Sequence, residues 1–244
     1  MKSIFYGADT RGYAKHGWLT TRHSFSFASY YDSTRMGFGV LRVLNDDIIA
    51  PGAGFGQHPH DNMEIITIPL SGTLLHEDSL GNTATIETGE VQVMSAGTGV
   101  FHSEYNASKT ESLSLLQIWI ETAARDVMPR YDQKRFFPER AVGKWIPIVG
   151  PEGSAELSIY QNAVLSLGRF VSRKEIEYRV SNARHGIYLF VIEGVVTVDG
   201  KRLEARDALG VTGNSRCDIY IDESAYLLVM DVPMANEEHD ILES

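Results

Sequence analysis

The sequence predicts an all-β protein built as two tandem barrels with few short helices. Three observations carry that expectation: short apolar segments recur at close intervals, turn-forming residues punctuate them, and a stretch of the second half echoes the first.

In the first half, Gly39 to Leu44, Glu64 to Leu70, Thr73 to His76, Thr83 to Glu87, Val91 to Met94 and Leu113 to Ile120 are rich in Val, Ile, Leu and Thr and read as strands. Asn45-Asp46-Asp47 and Gly81-Asn82 supply turn chemistry between them, as Asp199-Gly200 does later. From Thr122 to Lys144 the alternation breaks into a charged stretch with Pro129 and Pro138, which predicts a connector. Beyond it strands resume, and Tyr188 to Gly213, with its Val195 to Gly200 hairpin, reads as a shortened echo of Ile66 to Gly97, Gly194 standing where Gly72 stands. The expected division is therefore residues 1–143, a first barrel plus connector, and 144–244, a second barrel.

Composition supports a folded chain throughout, since 43% of the 244 residues are hydrophobic and 22% charged, enough apolar material for two cores. Lys and Arg number 22 against 32 Asp and Glu, and the formal charge of -10 repels phosphate backbones and anionic membrane surfaces. Direct nucleic-acid binding is thereby disfavoured. The one basic cluster, Arg125, Arg130, Lys134, Arg135, Arg140 and Lys144, is diluted by Asp126, Asp132 and Glu139 and reads as a solvated connector. Cys217 is the single cysteine, which excludes an internal disulfide and suits a reducing compartment. Met1 to Gly12 lacks a signal-peptide core, and runs such as Tyr188 to Ile192 are far short of the roughly 20 residues a bilayer needs. A cytoplasmic protein without a membrane segment is the expectation.

The chemistry concentrates in two pairs, His58-Pro59-His60 and His102-Ser103-Glu104. Side chains two apart on a strand share a face, so each pair can present two ligands inward. Two such strands facing each other across a barrel would supply three imidazoles and one carboxylate and leave metal positions open for water or substrate, the mark of a catalytic site. Gly52, Gly54 and Gly56 before the first pair, and Gly97 and Gly99 before the second, permit the turns that aim these strands. In the overlay of Gly194 on Gly72, His58 and His60 fall on Val180 and Asn182, with only His185 nearby, so the second barrel is expected to hold no metal and to act as a structural or pocket-closing partner. Of the other histidines, His16 and His23 are expected to pack in the amino-terminal strand, His76 to cap a hairpin beside Glu77 and Asp78, and His239 to sit in an acidic tail. Gly52-Ala53-Gly54-Phe55-Gly56 runs into a strand instead of opening a helix, which argues against a dinucleotide loop. Walker, Gly-x-Ser-x-Gly and His-Glu-x-x-His motifs are absent from the sequence.

Gly-x5-His-x-His-x3-Glu from Gly52 to Glu64 resembles the first cupin motif, and Gly89 to Asn106 resembles the second in a variant with Ser95 in place of proline. That variant, together with His16-Gly17-Trp18-Leu19, His23-Ser24-Phe25-Ser26-Phe27, Arg42 to Asp47 and Ser95 to Gly99, resembles the pirins and the bacterial pirin-like quercetinases. The resemblance is close from His16 to Asn106; Asp61 departs from it, standing where the family often has arginine. It implies two double-stranded β-helix (jelly-roll) cupin barrels and a metal held by His58, His60, His102 and Glu104, with Glu64, which stands where ordinary cupins carry the ligating glutamate, as the rival ligand and otherwise a supporting inner-face residue. Fe(II) is the favoured ion, and Ni, Co, Mn, Cu or Zn suit the same donors. It implies further a dioxygenase acting on a small aromatic or enolic substrate with O2, of the quercetin 2,3-dioxygenase kind, in which Glu104 is both ligand and general base. The alternative is a metal- and redox-dependent binding protein whose partner is a transcription regulator or an enzyme.

Overall fold

Alternation of side chains governs the architecture: Val100–Asn106 buries every second residue from Val100 through His102 and Glu104 to Asn106. The computed structural model describes residues 2–136 and 142–235. It contains β1 (Lys2–Tyr6), a 3-10 turn at Ala8–Thr10, β2 (Gly12–Lys15), β3 (Leu19–His23), β4 (Leu41–Ile49) and β5 (Gly54–His60). There follow β6 (Met63–Ser71), β7 (Thr73–Asp78), β8 (Thr83–Glu87), β9 (Glu90–Ser95), β10 (Val100–Asn106), β11 (Leu113–Glu121) and β12 (Arg130–Arg135). The second half has β13 (Trp145–Gly150), β14 (Leu157–Ser158), β15 (Val164–Phe170), β16 (Lys174–Arg179), β17 (His185–Val198), β18 (Lys201–Leu203), β19 (Ala208–Thr212) and β20 (Arg216–Pro233). The all-β expectation holds, with the 3-10 turn as the helical segment among the described residues. No helix there is long and apolar enough to cross a membrane.

The first barrel faces a seven-stranded sheet, order β12-β9-β6-β11-β4-β3-β2, with a four-stranded one, β5-β10-β7-β8. The second is a nine-stranded sheet with β17 and β20 at its centre. Its edge strand β1 comes from the opposite end of the chain and pairs antiparallel with β19, so the amino terminus is built into the second barrel. The division expected at 143/144 falls beside residues 137–141, which lie outside the description, as do Pro138, Glu139, Arg140 and His239.

Between the barrels lies the largest apolar cluster, where Ile66, Ile68, Val91, Val93, Leu116 and Ile118 meet Tyr188, Phe190, Leu228 and Met230. The inward face of the nine-stranded sheet encloses a second cluster that includes Ile187, Leu189, Val191, Leu227 and Val229. β17 is thus buried on both faces, which explains its unbroken apolar run from Ile187 to Ile192.

Two expectations from the sequence change. Asn45-Asp46-Asp47 does not turn but continues β4 to Ile49, because Asn45 and Asp47 point into the first barrel and pairing with both β3 and β11 satisfies the backbone. The expected connector contains β12, whose Arg130 to Arg135 add to the edge of β9. Gly72 and Gly194 do behave alike, with φ of 85° and 89°. At Gly194 a Cβ would strike the Ser224 carbonyl, so glycine is required there.

Candidate metal centre

β5 and β10 run antiparallel with His58 opposite His102 and Val100 opposite His60, and a register shift follows between His102 and Glu104. The period of two turns both residues of each pair to one face, as the spacing predicted, but the two strands are hydrogen-bonded neighbours in one sheet and do not face each other across the barrel as expected. Ring centroids lie 4.4 Å apart for His58 and His102, 4.8 Å for His58 and His60, and 4.9 Å for His60 and His102. One ring nitrogen from each of the three lies within 4.8 Å of the others.

His58 donates from Nδ1 to the Gly56 carbonyl at 2.8 Å, a tautomer that leaves the Nε2 lone pair for a ligand. Burial and the neighbouring His58 push His60 down to about 4, while burial and the histidines around it push His102 down to about 2. Both imidazoles are therefore neutral near pH 7 and present lone pairs without competition from protons. Both ring nitrogens of His102 are buried and have no hydrogen-bond partner, a costly arrangement that coordination to a cation relieves. Three clustered imidazoles, one desolvated and unpaired, fit a transition-metal ion.

Glu104 is buried and receives a 2.9 Å hydrogen bond on Oε2 from Gln117 Nε2. Thr67 Oγ1 lies 3.4 Å from Oε1 but only 2.9 Å from Gln117 Oε1, and its single proton favours the shorter bond. Burial pushes the Glu104 carboxyl up to about 7, against the pull of the Gln117 and Thr67 hydrogen bonds. A carboxylate oxygen of Glu104 lies within 4.8 Å of ligand nitrogens of His102 and His76. Glu104 thus meets the triad only at His102, in a second cluster with His76 and not in one with His58 and His60, so the four expected ligands share His102 but do not form a single cluster.

His76 is the residue that sequence reasoning misplaced. Instead of capping a hairpin it is fully buried in β7, directly opposite Glu104 on β10, as Asp78 is opposite His102. Its Nε2 bonds Asp78 Oδ2 at 3.0 Å, and Asp78 is fixed by Leu80 N and by Asn82 N and Nδ2. The Nδ1 of His76 is left buried and unpaired beside the ligand cluster. The His-x-Asp spacing, read with the same period of two as His-x-Glu, was the signal available.

Glu64 is a further correction, because it does not face the inside of the barrel. It shares parity with Ile66 and Ile68, which pack between the barrels, and accepts a 2.6 Å bond from Ser95 Oγ. His23 is buried as expected, its Nδ1 2.8 Å from Asn45 Oδ1, whereas His16 is exposed and outside the strands.

His58 and His60 open onto a cavity of about 400 Å³. Trp18, Phe27, Phe55 and Trp119 form apolar walls, with Trp18 edge-on to Phe55 at 5.1 Å and Phe27 edge-on to Trp119 at 5.2 Å. His60 meets the Trp119 ring at 4.7 Å, so the metal-suited edge and the aromatic wall are continuous. Asn45, Asp47, Glu104 and Gln117 add the few polar groups.

Comparison with known proteins agrees along the chain. The Pirin family profile matches residues 7–120, and that of the quercetinase C-terminal cupin domain matches residues 148–232. The chain is 41% identical to a quercetin 2,3-dioxygenase of Escherichia coli (strain K12), covering 93% of this chain and 96% of the relative. It is 40% identical to a pirin-like protein of Caulobacter vibrioides over 91% of this chain and 96% of the relative. Among solved structures, the bacterial pirin YhhW of Escherichia coli in complex with nickel(II) superposes with a TM-score of 0.89 at 39% identity, covering 95% of this chain and 99% of that one.

Proposed function

The chain belongs to the pirin family, and from that premise we propose that it is a metal-dependent dioxygenase that opens the heterocycle of a flavonol, as the name of its Escherichia coli relative describes. The observation that carries this reading is a cluster of three imidazoles, two of which, His58 and His60, line with Glu104 an aromatic-walled cavity of about 400 Å³. A cavity of that size suits a planar drug-sized molecule better than a segment of a protein partner.

His58, His60, His102 and Glu104 would hold the ion, which we take to be Fe(II); Ni(II), Co(II), Mn(II), Cu(II) and Zn(II) suit the same donors and are separated by metal analysis. When bound, such a cation supplies Lewis acidity that lowers the pKa of an enolic hydroxyl and a template on which two reactants meet. The four aromatic walls orient the flavonol and exclude water from its reacting edge. Glu104 accepts the proton of the flavonol 3-hydroxyl on a carboxylate oxygen, and its pKa near 7 matches a base that works at neutral pH. Gln117 keeps that carboxylate oriented through its bond to Oε2. Both atoms of O2 enter the product, and carbon monoxide leaves as the ring opens.

The test is to incubate metal-loaded protein with quercetin in air and under nitrogen, following flavonol absorbance and carbon monoxide. Loss of flavonol with carbon monoxide release in air alone is expected. A metal-loaded protein that leaves quercetin intact in air contradicts the proposal.

A further inference from the structure

Asp47 differs from the other buried aspartates among the described residues. Asp78 and Asp231 are both structural, and in each both carboxylate oxygens are bonded: Asp78 to Leu80, Asn82 and His76, Asp231 to Ser181 and His185. Asp47 is as deeply placed, 3% exposed, yet its Oδ1 is buried with no hydrogen-bond partner. It lines the aromatic cavity from β4, on the sheet opposite the strands that carry the histidines. Burial pushes its carboxyl up to about 7, the Thr21 hydrogen bond opposing and the charges of Asp46 and Glu104 adding to the rise. Beside it, Asn45 uses its amide oxygen on His23 Nδ1 at 2.8 Å, which leaves the amide nitrogen for the cavity.

A desolvated acceptor in an apolar pocket carries an unfavourable free energy until a donor reaches it. A site whose buried polar group lacks a protein partner discriminates strongly between ligands that complete it and ligands that do not. Resting on the flavonol reading above, we propose that Asp47 is a specificity-determining residue whose carboxylate accepts a hydrogen bond from a second hydroxyl of the substrate, distinct from the hydroxyl that faces the histidines. The preferred substrate class is then a planar aromatic or enolic compound with at least two hydroxyl groups, one for the metal-binding edge and one for Asp47.

Binding measured without turnover tests this. Zinc-loaded protein under nitrogen is titrated with quercetin and with 3-hydroxyflavone, which keeps only the hydroxyl meant for the metal edge, and quenching of Trp18 and Trp119 emission reports occupancy. In the parent protein quercetin is expected to bind more tightly. Asp47→Leu is expected to weaken quercetin about tenfold while leaving 3-hydroxyflavone within about threefold, the size of a hydrogen bond to a charged or buried acceptor. Asp47→Asn, which retains an acceptor and the original shape, is expected to fall between, and it carries the test if the leucine variant does not fold. Equal losses for both ligands, or an unchanged preference in both variants, overturn the role of Asp47 alone. Failure of both ligands to bind the parent protein overturns the flavonol reading and this inference with it.

Discussion

Across β3, β4, β11, β6 and β9, five adjacent strands of the seven-stranded sheet of the first barrel, a polar row runs in register: His23, Asn45, Gln117, Thr67 and Gln92. Apolar contacts are confined to either side of it, Ile49, Leu113 and Leu115 on one side and Ile65, Met94 and Val100 on the other. In the second barrel the inward positions of β17 and β20 are Ile187, Leu189, Val191, Leu227 and Val229, and the enclosed cluster is continuous. The same kind of sheet thus gives a rigid apolar body in one case and a polar chamber in the other. Buried polar side chains cost stability unless paired, and the first barrel contains them where Glu104, His76 and His102 need orientation or a cation. Its share of the apolar packing is recovered on its outer face, against the second barrel.

The contrast breaks most sharply at His102. His102→Ala is expected to abolish stoichiometric metal binding while far-UV circular dichroism stays unchanged, because only the polar chamber is touched. Retention of one tightly bound ion per chain in that variant would mean that the metal lies elsewhere. In the second barrel Leu189, fully buried, makes the opposite case. Leu189→Ala is expected to lower unfolding stability by about 2–5 kcal/mol in denaturant titrations while metal affinity stays at the parent value.

Gln117 sharpens the comparison within the polar row. Gln117→Leu removes the bond that orients Glu104, and by the usual cost of losing an outer partner it is expected to weaken metal affinity about tenfold in a competitive chelator titration. Unchanged affinity would show that Glu104 needs no such support.

The pH dependence of the metal-free protein gives a further distinction. The folded pKa of Glu104 is raised to about 7 from the ordinary 4.5, so the folded state holds a proton that the unfolded chain releases. Its contribution is therefore most favourable below the unfolded value and is lost as pH rises through about 7. Glu104→Gln, always neutral, is expected to gain stability relative to the parent between pH 5 and pH 8 when melting temperatures are compared. A constant difference across that range would contradict the burial of a protonated Glu104.

Much of this division could be read from the residues in order. The His-x-His and His-x-Glu pairs needed only the period of two for each to share one face, although their strands are neighbours in one sheet and not opposed across the barrel, and Gly72 and Gly194 marked equivalent turns in the two halves. Asn45-Asp46-Asp47 misled because local turn preference is strong in Asn and Asp, whereas the strand there is enforced by two neighbours distant in sequence. His76 was hidden for the same reason, since its meaning depends on pairing with β10. The place of β1 at the edge of the second barrel rests on a partner about 200 residues away, a separation that no local pattern records. Glu64 followed the spacing of one cupin motif, but strand parity turns it toward Ser95 and the space between the barrels.

Anomalous diffraction from a crystal of metal-loaded protein tests the central claim most directly. One peak per chain is expected, with nitrogens of His58, His60 and His102 and an oxygen of Glu104 at bonding distances of about 2.0–2.2 Å. A peak in the second barrel, or one in the first barrel bonded to Glu64 and not to Glu104, would contradict it.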